Sequence, residues 1–153
     1  TSPLLQTLSE ILRCQTNLDV ILKNISADET LDIRHRVLWP NKPKAFCQLE
    51  DDQNAWHFGG FVEGQLVCVA SVFFTQGEAR LRKFATLEEF QGLGIGGKMI
   101  RHILAELKQS DARLFWCDAR TTAMDFYQRF GMGTTSEVFY KEEIPYQRMS
   151  LEL

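Results

Sequence analysis

The residues best suited to chemistry lie in the run Phe90-Gln91-Gly92-Leu93-Gly94-Ile95-Gly96-Gly97-Lys98. Glycines let an anion approach the backbone closely. A helix opening at Gly96 would add unpaired N–H groups and the positive end of its dipole, which together suit a phosphate. Counted from Gly92 the run spells G-x-G-x-x-G, the dinucleotide fingerprint, and also G-x-x-x-x-G-K, the start of a P-loop; counted from Gln91 it spells Q-x-x-G-x-G. A glycine-rich turn that binds nothing has the same composition. Further along, Tyr127 offers a phenolic proton on a short amphipathic stretch in which Ala123, Phe126, Tyr127 and Phe130 share a face, with Gly131 placed as a left-handed cap. Periodicity alone would make Tyr127 a core aromatic.

The other reactive side chains are dispersed. Cys14, Cys47, Cys68 and Cys117 form no C-x-x-C pair, and two of them lie in apolar, strand-like runs, as small buried hydrophobes in a reducing compartment do. His35, His57 and His102 make no cluster with the cysteines, so no metal is expected.

Context weighs against both nucleotide readings. A P-loop needs Ser or Thr after its lysine to hold magnesium, and here Met99 follows Lys98. The strand before the loop, Arg80-Leu81-Arg82-Lys83, is too charged for a sheet covered on both faces. The dinucleotide reading expects a parallel unit and an acid about 20 residues further on. Asp118 is near that distance, but the strands before the loop read as an antiparallel meander, and no second mononucleotide half follows.

The elements that must position these groups follow from the periodicity. Leu4, Leu5, Leu8, Ile11 and Leu12 form a helical stripe after Ser2 and Pro3, predicting an N-terminal helical extension over residues 1–17. Residues 18–25 read as a strand, and Ser26 with Glu29 has the capping-box spacing for a helix carrying Ile33, Val37 and Leu38. Trp39-Pro40-Asn41-Lys42-Pro43 stops that helix. Strands are expected over residues 56–62, 65–74 and 79–86, joined by turns at Glu63-Gly64 and Thr75-Gln76-Gly77 that are too short for parallel crossovers. Ile95, Met99, Ile100, Ile103, Leu104 and Leu107 mark one helical face ending near Ser110-Asp111. A strand over residues 113–119, a short helix capped by Thr122 with Asp125, and two strands over residues 138–140 and 146–153 around Pro145 close the chain.

Two motifs in order, Gln91-x-x-Gly94-x-Gly96 and Ala123-x-x-x-Tyr127-x-x-x-Gly131-Met132, resemble the acyl-CoA-binding loop and fourth helix of the GCN5-related N-acetyltransferase (GNAT) superfamily. The segment from Leu81 to Ile100 is similar to that family's fourth strand, loop and third helix, and the closing Ile144 to Leu153 to the last strand of a bacterial-type subgroup that modifies small molecules. The resemblance covers residues 18–153. It implies an α+β fold with a central, mostly antiparallel twisted sheet of about seven strands and flanking helices, the fourth and fifth strands parallel and splayed. It also implies a single acyl-CoA N-acyltransferase domain over residues 1–153.

The resemblance further implies acetyl-CoA as cofactor. Its pyrophosphate would lie on the backbone of Leu93 through Lys98, within a loop of Gln91, Gly92, Leu93, Gly94, Ile95, Gly96, Gly97 and Lys98, and its pantetheine arm beside Phe84, Ala85 and Thr86. That placement implies a bulge near Lys83 to Ala85. The Lys98 side chain is expected on the helix's solvated face. An acceptor amine would attack the acetyl carbonyl directly, and Tyr127 matches the tyrosine that serves as acid to the departing thiolate. Arg120 stands where many members have a coenzyme-contacting asparagine, leaving Asp118 or Thr121 to substitute. The glutamate base of many members has no counterpart on the strand carrying Arg80, Arg82 and Lys83. Glu88 and Glu89 read as solvated, and His57 or Glu137 would act through water. Trp39, His57, Phe139, Tyr140 and Tyr146 are the substrate-binding candidates, with Glu142 and Glu143 either attracting a cation or marking a hairpin tip.

A formal net charge of −3, with basic residues spread among acids, gives no support to a nucleic-acid or anionic-membrane surface. Apolar runs such as Leu66 to Ala70 fall far short of the ~20 residues that span a bilayer. Residues 1–14 lack the basic start and apolar block of a signal peptide. The expectation is a cytoplasmic acetyltransferase acting on the amine of a small molecule or a peptide N-terminus, with a non-catalytic CoA-binding regulatory module as the alternative, monomeric or homodimeric, with no nucleic-acid or membrane partner.

Overall fold

The computed structural model describes residues 19–153. The expected helix over residues 1–17 lies outside the described residues. The elements are β1 (Ile21–Asn24), α1 (Ala27–Ile33), β2 (Trp56–Val62), β3 (Gln65–Thr75), β4 (Glu78–Thr86), α2 (Ile95–Lys108), β5 (Leu114–Arg120), α3 (Met124–Gln128), β6 (Gly133–Thr134), β7 (Phe139–Lys141) and β8 (Ile144–Glu152). They build an α+β fold around an eight-stranded sheet ordered β1-β2-β3-β4-β5-β8-β6, with β7 paired to β8. Eight strands replace the expected seven or so, because β6 is two residues long and leaves no alternation to read. β4 and β5 are the parallel pair, registered from Glu78↔Leu114 to Arg80↔Trp116. No helix among the described residues is long and apolar enough to cross a membrane.

The described residues divide into two compact units, one of residues 19–71 and 83–102, the other of 72–82 and 103–153. In the first unit the capping box forms as expected, Glu29 N donating to Ser26 Oγ at 3.3 Å and Ser26 N to Glu29 Oε1 at 3.0 Å. After Ile33 the α-helix widens into a π turn, Arg34–Leu38, in which Trp39 N reaches back to Arg34 O at 3.3 Å. The widened turn carries Arg34, whose guanidinium is wholly buried, so part of the expected helix face points a charge into the core. The Glu63-Gly64 turn has φ 49° and 80°, the doubly left-handed geometry that matches strand twist in a two-residue hairpin.

β4 shows why the strand before the loop is charged. Ala79 and Leu81 are buried, while the alternate Arg80 and Arg82 are partly exposed, so this strand has one covered face. Lys83 then sits at φ 54°, a left-handed residue inside a strand, where the expected bulge falls. On α2, Ile95, Met99, Ile100, Ile103 and Leu107 are buried as the stripe requires, each worth about 1.5 to 3 kcal/mol of burial.

In the second unit β5 and β8 pair antiparallel over seven positions, from Leu114↔Glu152 to Arg120↔Tyr146. Pro145 lies within β8 opposite Tyr140, not between two strands, and Thr122 does not cap α3; a 3₁₀ turn, Thr121–Ala123, precedes that helix instead. Gly131 at φ 88° ends α3 as expected. The β7–β8 hairpin turns through Glu142 and Glu143 at φ 52° and 67°. Left-handed backbone costs a non-glycine residue about 1 kcal/mol or more, and Asn-Gly is the pair this turn prefers. Replacing Glu142-Glu143 by Asn-Gly is therefore expected to stabilise the fold by about 1 to 2 kcal/mol, raising the midpoint by about 2 to 4 °C per kcal/mol in a thermal melt.

Candidate active site

The glycine loop belongs to the first unit. A 3₁₀ turn, Glu88–Phe90, buries Phe90, and the Gln91 side chain folds back so that Nε2 donates to Thr86 O at 2.9 Å. Gly92 and Gly94 then adopt φ 76° and 83°. The first intrahelical bond of α2 runs from Lys98 N to Gly94 O at 3.2 Å, so the N–H groups of Ile95, Gly96 and Gly97 precede the helical ladder. Buried Ile95 anchors this helix start, one residue earlier than Gly96. A Cβ added at Gly94 would meet nothing within 4 Å, so the backbone there faces open space. These features fit a phosphate: amide donors ahead of the helical ladder, a helix dipole, and no side chain at Gly94. Gly94→Ala should cost about 1 kcal/mol in backbone strain and put a methyl into the open space beside the loop. Weaker stabilisation by CoA in a thermal shift, with the fold retained, is the expected result.

Two sequence expectations change in detail. Lys98 N–H is committed within the helix, and its side chain is exposed as expected. The Thr86 carbonyl is taken by Gln91 and its Oγ1 donates to Cys68 Sγ at 3.4 Å, leaving Phe84 and buried Ala85 as the nearer backbone on β4. A surface pocket of about 240 Å³ beside Gln91 is lined also by Arg36, Val37, Leu87, Glu88 and Glu89. Arg36 was not among the sequence candidates.

His57 stands in a buried network that sequence reasoning missed. Arg34 donates to both oxygens of Asp52, at 2.8 and 3.1 Å, to Cys47 O at 3.1 Å and to Ser71 Oγ at 2.8 Å. His57 Nε2 lies 2.7 Å from Asp52 O, which can only accept, so that nitrogen carries the proton and Nδ1, 2.7 Å from Ser71 Oγ, takes the serine's. Both ring nitrogens of His57 are thus committed. Burial pushes the Asp52 carboxyl up, but bonds from Arg34 and Leu49 N outweigh it and hold it below the usual range. Trp39 is half-buried, edge-on to Phe46 at 5.4 Å, with Lys83 Nζ 5.9 Å from its ring.

The second unit holds the remaining candidates. Tyr127 is buried on α3, edge-on to Phe126 at 5.1 Å, with its hydroxyl hydrogen-bonded to Cys117. Burial, then the neighbouring Cys117, raises the phenol's pKa, so it keeps its proton. Burial and Asp118 push the Cys117 thiol up to about 12. Thr121 is half-buried in the turn before α3, Phe139 and Tyr146 stack at 6.1 Å, and Tyr140 is 69% exposed. Arg120 and Glu137 are exposed, and Glu142 and Glu143 form the hairpin tip. Asp118, nearly buried, gathers Arg80, Lys141 and Arg148.

A mostly antiparallel sheet with one parallel pair, a glycine-lined helix start after β4 and a phenol on the short helix after β5 define the class of acyl-CoA-dependent N-acyltransferases. The family model described as the acetyltransferase (GNAT) domain matches residues 38–153. YitI of Bacillus subtilis (strain 168), described as an uncharacterized N-acetyltransferase, is 32% identical over 127 residues, covering 77% of this chain and 85% of that protein. Among solved structures, a GNAT family acetyltransferase from Elizabethkingia anophelis with acetyl-CoA bound aligns with a TM-score of 0.70 at 15% identity, over 90% of this chain and 100% of that one. A Bacillus subtilis acetyltransferase in complex with CoA aligns with a TM-score of 0.68 at 17% identity, over 90% and 99%. The chain belongs to the GNAT superfamily and is an acetyl-CoA-dependent N-acetyltransferase.

Proposed function

We propose that the acceptor is the amine of a small molecule or a peptide N-terminus, that transfer is direct within a ternary complex, and that Tyr127 is the acid to the leaving thiolate. The observation that carries this reading is the glycine loop, with two left-handed glycines, donors ahead of the helical ladder and open space above Gly94. Bound acetyl-CoA supplies an activated thioester. The N–H groups of Leu93 through Gly97 would hold its pyrophosphate, and the backbone of Phe84 and Ala85 would line its arm.

In the transfer itself the amine nitrogen forms the new N–C bond as the C–S bond breaks. The nitrogen loses one proton to water, and the sulfur gains one from Tyr127, which is reprotonated from solvent. An aliphatic amine, with a reference pKa near ~10.4, must arrive neutral. A raised phenol pKa makes Tyr127 a reluctant acid toward a thiol of reference pKa ~8.5. Burial and Asp118 push the Cys117 thiol beside it up to about 12, and a coenzyme thiolate desolvated next to this hydroxyl would likewise be more basic than in water and a better acceptor of its proton.

The test is a thermal shift with acetyl-CoA, CoA, ATP and NAD in parallel. Ligand at a hundred times its dissociation constant adds ~2.7 kcal/mol, roughly 5 to 11 °C at this chain length. Stabilisation by ATP or NAD without CoA overturns the reading. A coenzyme-binding module without turnover, the alternative the sequence left open, would show the same stabilisation by CoA and no thiol release; the acetyltransferase assignment expects thiol release with an amine.

A further inference from the structure

We infer that the sheet face carrying Arg80, Lys141 and Arg148 beside Trp116 and the Phe139–Tyr146 stack is a carboxylate-recognition site, and that the acceptor amine therefore bears a carboxylate. This inference rests on the acetyl-transfer reading and supplies its substrate class. The strands place the residues together: Arg80 pairs with Trp116, Asp118 with Arg148 and Phe139 with Tyr146, on alternate positions of one face. Asp118 accepts from Arg148 Nε at 2.9 Å, Lys141 Nζ at 3.0 Å and Arg80 Nη2 at 3.1 Å.

One carboxylate thus meets three cations, leaving two positive charges in surplus on a chain whose net charge is −3. A structural ion pair needs no such surplus. Asp118 is 6% exposed, whereas the Lys141 and Arg148 side chains are 47% and 46% exposed, so the carboxylate holds the cations from below and their free donors face outward. Arg148 spends only Nε on Asp118, which leaves its terminal nitrogens as a planar fork for a second carboxylate. Arg80 Nε is buried with no partner among the described residues, and burial, Arg82 and Arg148 together lower that guanidinium's pKa although Asp118 raises it.

The aromatics hold the cations in place. Trp116 lies 4.1 Å from the Arg148 guanidinium and 4.6 Å from that of Arg80, and Lys141 Nζ is 5.1 Å from Tyr146 and 5.6 Å from Phe139. Stacking restricts the guanidiniums before a ligand arrives, and it offers an apolar wall for the body of the acceptor. Of the two roles the sequence left open for Glu142 and Glu143, attracting a cation or marking a hairpin tip, the second is the one they take, and the face beside them carries cations.

The test has two arms. In the first, the arginine Nε–H NMR signals of the intact protein are titrated with succinate, with inorganic phosphate and with chloride at constant ionic strength. Saturable shifts of Arg80 and Arg148 with succinate are expected; read on Arg80, binding should weaken about tenfold or more in Arg148→Gln and by less in Arg148→Lys, which keeps the charge without the fork, and tighten in Asp118→Asn. Equal responses to chloride, or tighter binding of phosphate than of succinate, overturn the assignment. In the second arm, thiol release is followed with amines that carry a carboxylate and with the same amines as carboxamides. The carboxylates should be preferred by about tenfold or more in kcat/KM, and the preference should collapse in Arg148→Gln through acceptor KM, with the KM for acetyl-CoA unchanged. Acetylation without that preference overturns the inference. Succinate binding with no acetylation of any amine supports the anion site and overturns the acetyl-transfer reading instead.

Discussion

Tyr127→Phe is expected to lower turnover by about 10²- to 10⁴-fold, the usual contribution of a positioned proton donor, while acetyl-CoA still stabilises the fold. The substitution removes one oxygen and leaves the ring against Phe126. Losing a buried hydrogen bond to Cys117 costs about 1 kcal/mol of stability against a typical total of 5 to 15, so the variant folds. Coenzyme affinity should be nearly unchanged, because the phosphate donors belong to the glycine loop. Thiol release measured beside a CoA thermal shift separates the two effects. Turnover within about threefold of the parent would remove Tyr127 from the chemistry and make it a core aromatic. Since burial raises the phenol's pKa, Tyr127 should not titrate below about pH 10, and the rise of rate with pH should follow the acceptor amine alone.

The second large effect is on stability. Asp52→Asn leaves the Arg34 charge wholly buried without its carboxylate, and breaking one side of such a pair costs about 3 to 5 kcal/mol, a large share of a domain's total. Urea unfolding measures it, and a loss under about 1 kcal/mol would mean that the pair is not held as described. The Arg34→Met, Asp52→Asn double variant should be less destabilised than Asp52→Asn alone, because no uncompensated charge remains. The pH dependence has a definite sign. The Asp52 and Asp118 carboxyls are pushed up by burial and pulled further down by their hydrogen-bonded cations, so both folded pKa values lie below the unfolded ones. Their contribution is present above the unfolded value near ~3.9 and lost as pH falls through the folded values. Stability should therefore drop below about pH 4, and Asp52→Asn should flatten part of that drop.

The glycine loop, the α2 stripe and the hairpin turns at Glu63-Gly64 and Gln76-Gly77 could be read before any coordinates, because each depends on neighbours within a few residues. Glycine at a left-handed position or an apolar residue every third or fourth place is a local requirement. The frame around Tyr127 was legible for the same reason. His57 was legible as an ionisable side chain but not as a committed one: its proton and its lone pair are assigned by Asp52 and Ser71, the latter on the next strand. The Thr122 cap was a sound local expectation that the 3₁₀ turn before α3 overrode.

Arg34 and Asp52 are 18 residues apart, and Asp118 lies 38, 30 and 23 residues from the three cations it holds. No periodicity links such positions. Strand register put Arg148 opposite Asp118 and Arg80 opposite Trp116, and burial then decided which charges needed partners and which were left in surplus. Backbone chemistry in the chain was enough to mark a loop suited to phosphate, because that geometry is permitted locally by glycine, whereas the ligand's identity came from the resemblance of the wider motifs. The cluster proposed as the acceptor face is built by side chains from four strands, whose charges acquire a common meaning only when the sheet brings them within a few ångströms.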